Sequence, residues 1–176
     1  MANREALREL QARLASRLQT AKAEGFSISW LAVKNGSTNF LLPLAQSGEI
    51  FPLSNVQVVP YSRPWFMGVV NLRGGLFGVV DLVTFIEGGA APVRTEQSLT
   101  EASVITLNAA LDINCAVLVE SLAGLRHVEA FSGSEPPPVG APAFFGNRYV
   151  DADGGRWQEI NLQSLSLQPE FLNISA

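Results

Sequence analysis

The chain has 176 residues, 47% of them hydrophobic and 16% charged, with a formal net charge of −4. That length suits one domain, or two small lobes sharing a core, without a disulfide or metal staple. The acidic balance and the lack of any Lys/Arg run leave no basic stripe for nucleic acid. No window approaches the roughly 18 apolar residues of a membrane span, and the single cysteine, Cys115, excludes an internal disulfide.

Leu7, Leu10, Leu14 and Leu18 recur at spacings of three and four. They predict an amphipathic helix over residues 1–25, with Asn3 as N-cap, Glu5 in the first turn and Gly25 as C′. Arg4, Arg8, Arg13, Arg17 and Lys22 interrupt this stretch, so it is no signal peptide, and a cytoplasmic setting is expected. The apolar stripe is expected to dock on the chain's own domain.

From Phe26 the period becomes two: Phe26, Ile28 and Trp30 alternate with serines, as in a half-buried strand. Asn35-Gly36 supplies a hairpin, and residues 40–44 return as its second strand, where Pro43 marks an edge position or a strand end. Residues 56–59 read as a strand, and Pro60 and Pro64 bracket a turn. Phe66–Leu72 and residues 76–80 form a hairpin around Arg73-Gly74-Gly75. Asp81 is placed to cap a short helical turn. Residues 88–97, small and broken by Pro92, read as a linker between two β-rich halves. The second half is expected to hold strands over residues 103–107, 113–119, 125–131, 144–150 and 157–162. The triple proline at Pro136 makes residues 132–142 an extended loop, Asp151 to Gly155 a hairpin turn, and residues 163–175 a helical turn and tail. Many short strands with few helices predict a sandwich or small barrels.

Catalytic groups are scarce. His127 reads as an ordinary strand histidine, although a spatial partner is not excluded by sequence distance. Cys115 lies in an apolar run and reads as a small buried hydrophobe. One His and one Cys cannot assemble a conventional zinc site. Asp151 and Asp153 resemble the start of a calcium loop, but Gly155, Arg156 and Leu162 occupy the positions that such a loop needs for ligands and glycine. Gly74-Gly75 and Gly154-Gly155 match no phosphate-binding motif. Lone carboxylates such as Glu49, Asp81 and Glu120 show no pairing for acid–base work.

Glu49-Ile50, then the run Pro64-Trp65-Phe66-Met67-Gly68-Val69-Val70-Asn71-Leu72-Arg73-Gly74, then Val79-Val80-Asp81-Leu82, together resemble the signature of CheW-like domains. Those domains carry an x-Glu-Ile element, a Gly-Val-Ile-Asn-Leu-Arg-Gly run and a Val-Ile-Asp-Leu strand. The chain departs from the pattern at Gly78, usually Pro, at Ala116 and Glu120, usually Gly and Asp, and at Asn161, usually Asp. The first helix and the ending from Trp157 to Ile174 resemble the pilus-associated branch, the PilI proteins of twitching motility.

The resemblance implies a mainly β fold of two SH3-like five-stranded β-barrel lobes around a shared core. Lobe 1 would span about 26–90 and lobe 2 about 100–165, with a tail over 166–176. It implies a non-catalytic adaptor without cofactor, coupling methyl-accepting chemoreceptors to a CheA-type histidine kinase. The partners would be the kinase regulatory domain and the chemoreceptor cytoplasmic tip, at membrane receptor arrays but with no direct membrane insertion and no nucleic acid. The implied contact residues are Glu49, Ile50, Gly68, Asn71, Leu72, Arg73 and Gly74. Arg73 reads equally as an exposed contact or as a structural arginine bonding carbonyls across the lobe interface. Glu49-Ile50 reads as a kinase contact, or as a core isoleucine beside a solvated carboxylate. Gly68 and Gly74 are most simply there for backbone geometry. A second function remains open, a small-ligand barrel with an apolar pocket near Trp30, Trp65 or Trp157. A third is catalysis by His127 or Cys115.

Overall fold

The computed structural model describes residues 2–24 and 29–176, with side chains for 3–18 and 29–176. The expected roles of Gly25, Phe26 and Ile28 lie outside the described residues.

A long helix, α1 (Ala2–Glu24), opens the chain. Leu14 and Leu18 on it are buried, and the buried Gln11 donates from Nε2 to Ser103 Oγ at 2.6 Å. Leu10, on the expected stripe, is 48% exposed, because the described part of the helix docks through Gln11, Leu14 and Leu18 and turns Gln11 rather than Leu10 inward. Asn3 lies inside the helix, not at its N-cap.

Among the described residues, eleven strands follow. The first five are β1 (Ser29–Asn35), β2 (Thr38–Pro43), β3 (Ser47–Pro52), β4 (Phe66–Leu72) and β5 (Gly75–Val80). Two short helices, α2 (Leu82–Glu87) and α3 (Glu96–Glu101), lead to β6 (Ser103–Leu107) and β7 (Cys115–Val119). Then come β8 (Ser121–His127), β9 (Phe131–Glu135), β10 (Phe145–Asp151) and β11 (Arg156–Ile160), and α4 (Leu162–Ser166) and α5 (Pro169–Leu172) close the chain. The strands form a six-stranded sheet, β8-β1-β2-β11-β10-β9, and a five-stranded sheet, β3-β6-β7-β5-β4.

The three turn-based hairpins are present. In β1–β2 the loop is Gly36-Ser37, with Gly36 at φ 59, while Asn35 closes the strand. Pro43 ends β2, which is an interior strand, so the strand-end reading holds and the edge reading does not. Other expectations fail. Residues 56–59 form no strand, contributing only the bridge between Gln57 and Val69. β3 and α3 carry no strong period and were not expected, and β9 occupies part of the expected loop after Phe131. Strand β1 is buried on both faces rather than one.

The expected boundary at residues 90–100 does not coincide with the sheets. Each sheet draws strands from before and after it, joined by the antiparallel pairs β1–β8 and β3–β6 and by the parallel pairs β2–β11 and β5–β7. One sheet also has six strands where five were expected. Turn residues report hairpins, which are local; a parallel pair needs a long crossover and leaves no turn signal.

Burial explains why the strands read as nearly continuous apolar runs. The five-stranded sheet encloses a small core with Val70, Leu72, Val79, Val104 and Leu118. The six-stranded sheet encloses another with Trp30, Ala32, Leu41 and Trp157. Their outer faces meet in a third core, where Leu31, Val33 and Phe40 pack with Ile50, Ile105 and Val117, under Leu14 and Leu18 of α1. A strand that serves two cores has no polar side left to alternate with.

A buried ion network ties the parts together. Asp81 caps α2, accepting from the Thr84 amide and, at 2.8 Å, from its hydroxyl. The same carboxylate accepts from Arg94 Nη2 at 2.8 Å, and Arg94 Nε donates to Glu120 at 3.0 Å. Glu120 in turn accepts from the Gly36 amide at 2.6 Å, while Asn35 bonds the Leu118 carbonyl and the Glu120 amide. The side chain of Arg94 is 8% exposed and that of Asp81 is fully buried. Removing one partner of such a pair strands an uncompensated charge. Arg94→Ala is therefore expected to lower stability by about 3–5 kcal/mol in urea unfolding.

Candidate functional site

The loop between β4 and β5 is the two-residue turn Arg73-Gly74, both with positive φ, 49 and 81. This is the hairpin turn whose twist matches the flanking strands, and it normally recruits Asn or Gly. An arginine held there is uncommon, and such backbone strain concentrates at functional positions. The Asn71 side chain accepts from the Gly74 amide at 3.0 Å and braces the turn.

Strands β3 and β4 are the outer strands of the five-stranded sheet, and Arg73 bridges between them. Its Nη1 lies 2.9 Å from Glu49 Oε2, and its guanidinium sits over the Phe51 ring at 5.6 Å. The Arg73 side chain is 70% exposed and that of Glu49 38%. Such an open pair contributes about 0–1 kcal/mol at most. The partners of Arg73 thus belong to its own lobe and are side chains, unlike the cross-lobe carbonyls of the structural reading.

The seven sequence-derived residues divide in two. Glu49, Asn71, Arg73 and Gly74 share one accessible corner. Ile50 is buried in the shared core, the second of its two readings, and Leu72 is buried in the core of its own sheet. Gly68 is buried at φ 139, and a Cβ there would lie 2.2 Å from the Gln57 carbonyl oxygen. It lets Gln57 and Val69 exchange both backbone hydrogen bonds, at 2.8 and 2.9 Å. Phe51, which completes the corner, was missed; its place two residues beyond Glu49 on a strand was the available signal.

Of the three tryptophans, Trp65 borders an open cleft of about 770 Å³, lined also by Arg63, Pro64, Phe85, Pro169 and Glu170. Trp65 stacks on Phe171 at 5.8 Å and meets Phe85 edge-on at 5.0 Å. Trp30 and Trp157 are enclosed by the six-stranded sheet instead. The Trp30 indole donates to Glu159, whose carboxyl is pushed up by burial.

The groups weighed for catalysis are accounted for locally. His127 Nδ1 is hydrogen-bonded to Ser29 Oγ at 2.8 Å at the end of β8. Cys115 is buried, and burial pushes its thiol up to about 12, far from the thiolate a nucleophile needs. Asp151 accepts from the Trp157 indole and from the Gly155 and Asp153 amides, so it organises the β10–β11 turn. Those bonds, the indole's first, hold its carboxyl below the usual range. Among the described residues no group of three or more His, Cys, Asp and Glu could hold a metal ion.

Two sheets, each around a small core and joined through a third, with a rigid hairpin turned outward, define a two-lobed β protein. The chain belongs to the CheW-like domain family, whose sequence profile matches residues 29–166. It is 27% identical over 127 residues to Protein PilI of Pseudomonas aeruginosa, covering 71% of this chain and 68% of that protein. Its fold is similar to the crystal structure of the scaffolding protein TtCheW from Thermoanaerobacter tengcongensis. The TM-score is 0.61 at 16% identity, over 77% of this chain and 89% of that one.

Ile50→Ala is expected to lower stability by about 2–5 kcal/mol, a core truncation. Arg73→Glu should change stability by no more than about 1 kcal/mol. Urea unfolding of both variants checks the division between core and corner. The Cys115 thiol should stay unreactive toward a disulfide reagent at pH 8 in the folded protein and react once urea unfolds it.

Proposed function

We propose that the chain is a non-catalytic signalling adaptor that couples methyl-accepting chemoreceptors to a CheA-type histidine kinase. Family membership supports the adaptor class. The observation that carries the reading further is the corner formed by Glu49 and Arg73, 2.9 Å apart on a braced hairpin and its facing edge strand. These two residues combine exposure, charge and rigid backbone, which a protein contact exploits for specificity and orientation. Glu49 is assigned to the kinase regulatory domain and Arg73 to the receptor's cytoplasmic tip. Ile50 and Leu72 act by holding the strands that present them.

The similarity to PilI supports a type IV pilus, twitching-motility system as the setting. The adaptor works in the cytoplasm and reaches the membrane through receptor arrays. Among the described residues no helix is long and apolar enough to cross a membrane.

Calorimetric titration into the regulatory domain of a CheA-type kinase tests the reading. The expected result is affinity on the order of micromolar, weakened at least tenfold by Glu49→Lys with the unfolding transition unchanged. A folded wild-type protein that binds no such domain would overturn it.

A further inference from the structure

The connection between α2 and α3 joins two features that the adaptor reading leaves unused. It leaves α2 through Gly88 and Gly89, with φ 74 and 85 and open space where a Cβ would stand. Both glycines line the cleft beside Trp65 and Phe85. The next four residues, Ala90, Ala91, Pro92 and Val93, are exposed, and Val93 is 102% exposed although apolar. The following residue, Arg94, is locked between Asp81 and Glu120. An unpartnered apolar segment is thus hinged at one end beside an open aromatic cleft and fixed at the other by a buried ion pair.

We propose that residues 90–93 are a tethered flap that swings about Gly88-Gly89 to cover the cleft at Trp65 and Phe85. Glycine is the residue for which such a rotation through positive φ meets no side-chain clash. Closing removes Pro92 and Val93, together with the exposed rim of the aromatic cluster, from water. Because both ends are already held, the closed form adds little loop entropy cost. Arg94 sets the reach: four residues extend by at most about 3.3–3.6 Å each, and Pro169 and Glu170 line the same cleft as the two hinge glycines. The flap makes access to the cleft a property of this chain, whatever partner the Glu49–Arg73 corner takes.

Disulfide trapping in the full-length protein tests the flap directly. Val93→Cys is combined with Glu170→Cys across the cleft, and a control combines Val139→Cys, equally exposed but outside this segment, with the same Glu170→Cys. All three substituted positions are exposed, and the buried thiol of Cys115 does not compete. In a glutathione buffer the first pair is expected to close at least tenfold faster than the control, with the thermal transition of the reduced protein unchanged. A ratio below tenfold in proteins that keep that transition overturns the flap.

Discussion

One guanidinium holds this molecule's parts in register. Arg94 sits between Asp81 and Glu120, and each carboxylate is committed elsewhere as well. Asp81 caps α2, and its own amide donates to the Trp65 carbonyl at 2.8 Å, which fixes the helix to the start of β4. Glu120 receives the Gly36 amide, so the tip of β1–β2 is tied to the end of β7 in the other sheet. Charges buried this deeply are tolerated only when paired and hydrogen-bonded. The pairing joins the ends of β5 and β7 and holds Glu120 where it accepts the Gly36 amide, a polar link between the two sheets beside their apolar interface.

That arrangement separates what holds the fold from what meets a partner. Stability resides in three apolar cores and the Arg94 network. The Glu49–Arg73 pair lies in water and contributes little to folding. It is positioned by what lies beneath: Ile50 and Leu72 fix the strands, Gly68 lets the Gln57 segment close on β4, and Asn71 braces the turn. A surface held by such a scaffold can change its charges, and hence its partners, with small effect on the fold. The departures at Ala116 and Asn161 fit the same separation, since Ala116 is packed in the core of its sheet and Asn161 caps α4.

Much of this was legible in the residues. The leucine spacing gave α1, the glycine-containing turns gave three hairpins, and Asp81 was recognisable as a cap. The Val70 to Gly74 run marked the family and the exposed hairpin. What escaped was of another kind. Arg94 stood in a stretch that read as linker, because a buried ion pair depends on carboxylates 13 and 26 residues away in opposite directions. Leu10 changed sides because spacing shows that a residue is apolar and periodic, and docking decides which turn is covered; for Ile50 docking decided between two readings that the sequence left open.

The sequence by itself determined much of the local conformation: the first helix, the three glycine-containing reversals and most of the strands that flank them. These follow from backbone sterics and hydrophobic pattern, which act within a few residues. The tertiary structure alone decided that the two sheets interleave across the chain's middle. It alone brought Glu49 to Arg73 across a sheet's outer strands and left an aromatic cleft beside a glycine hinge. Those outcomes rest on parallel pairings and contacts between distant segments, where the free energy belongs to surfaces that exist only once the chain has closed on itself.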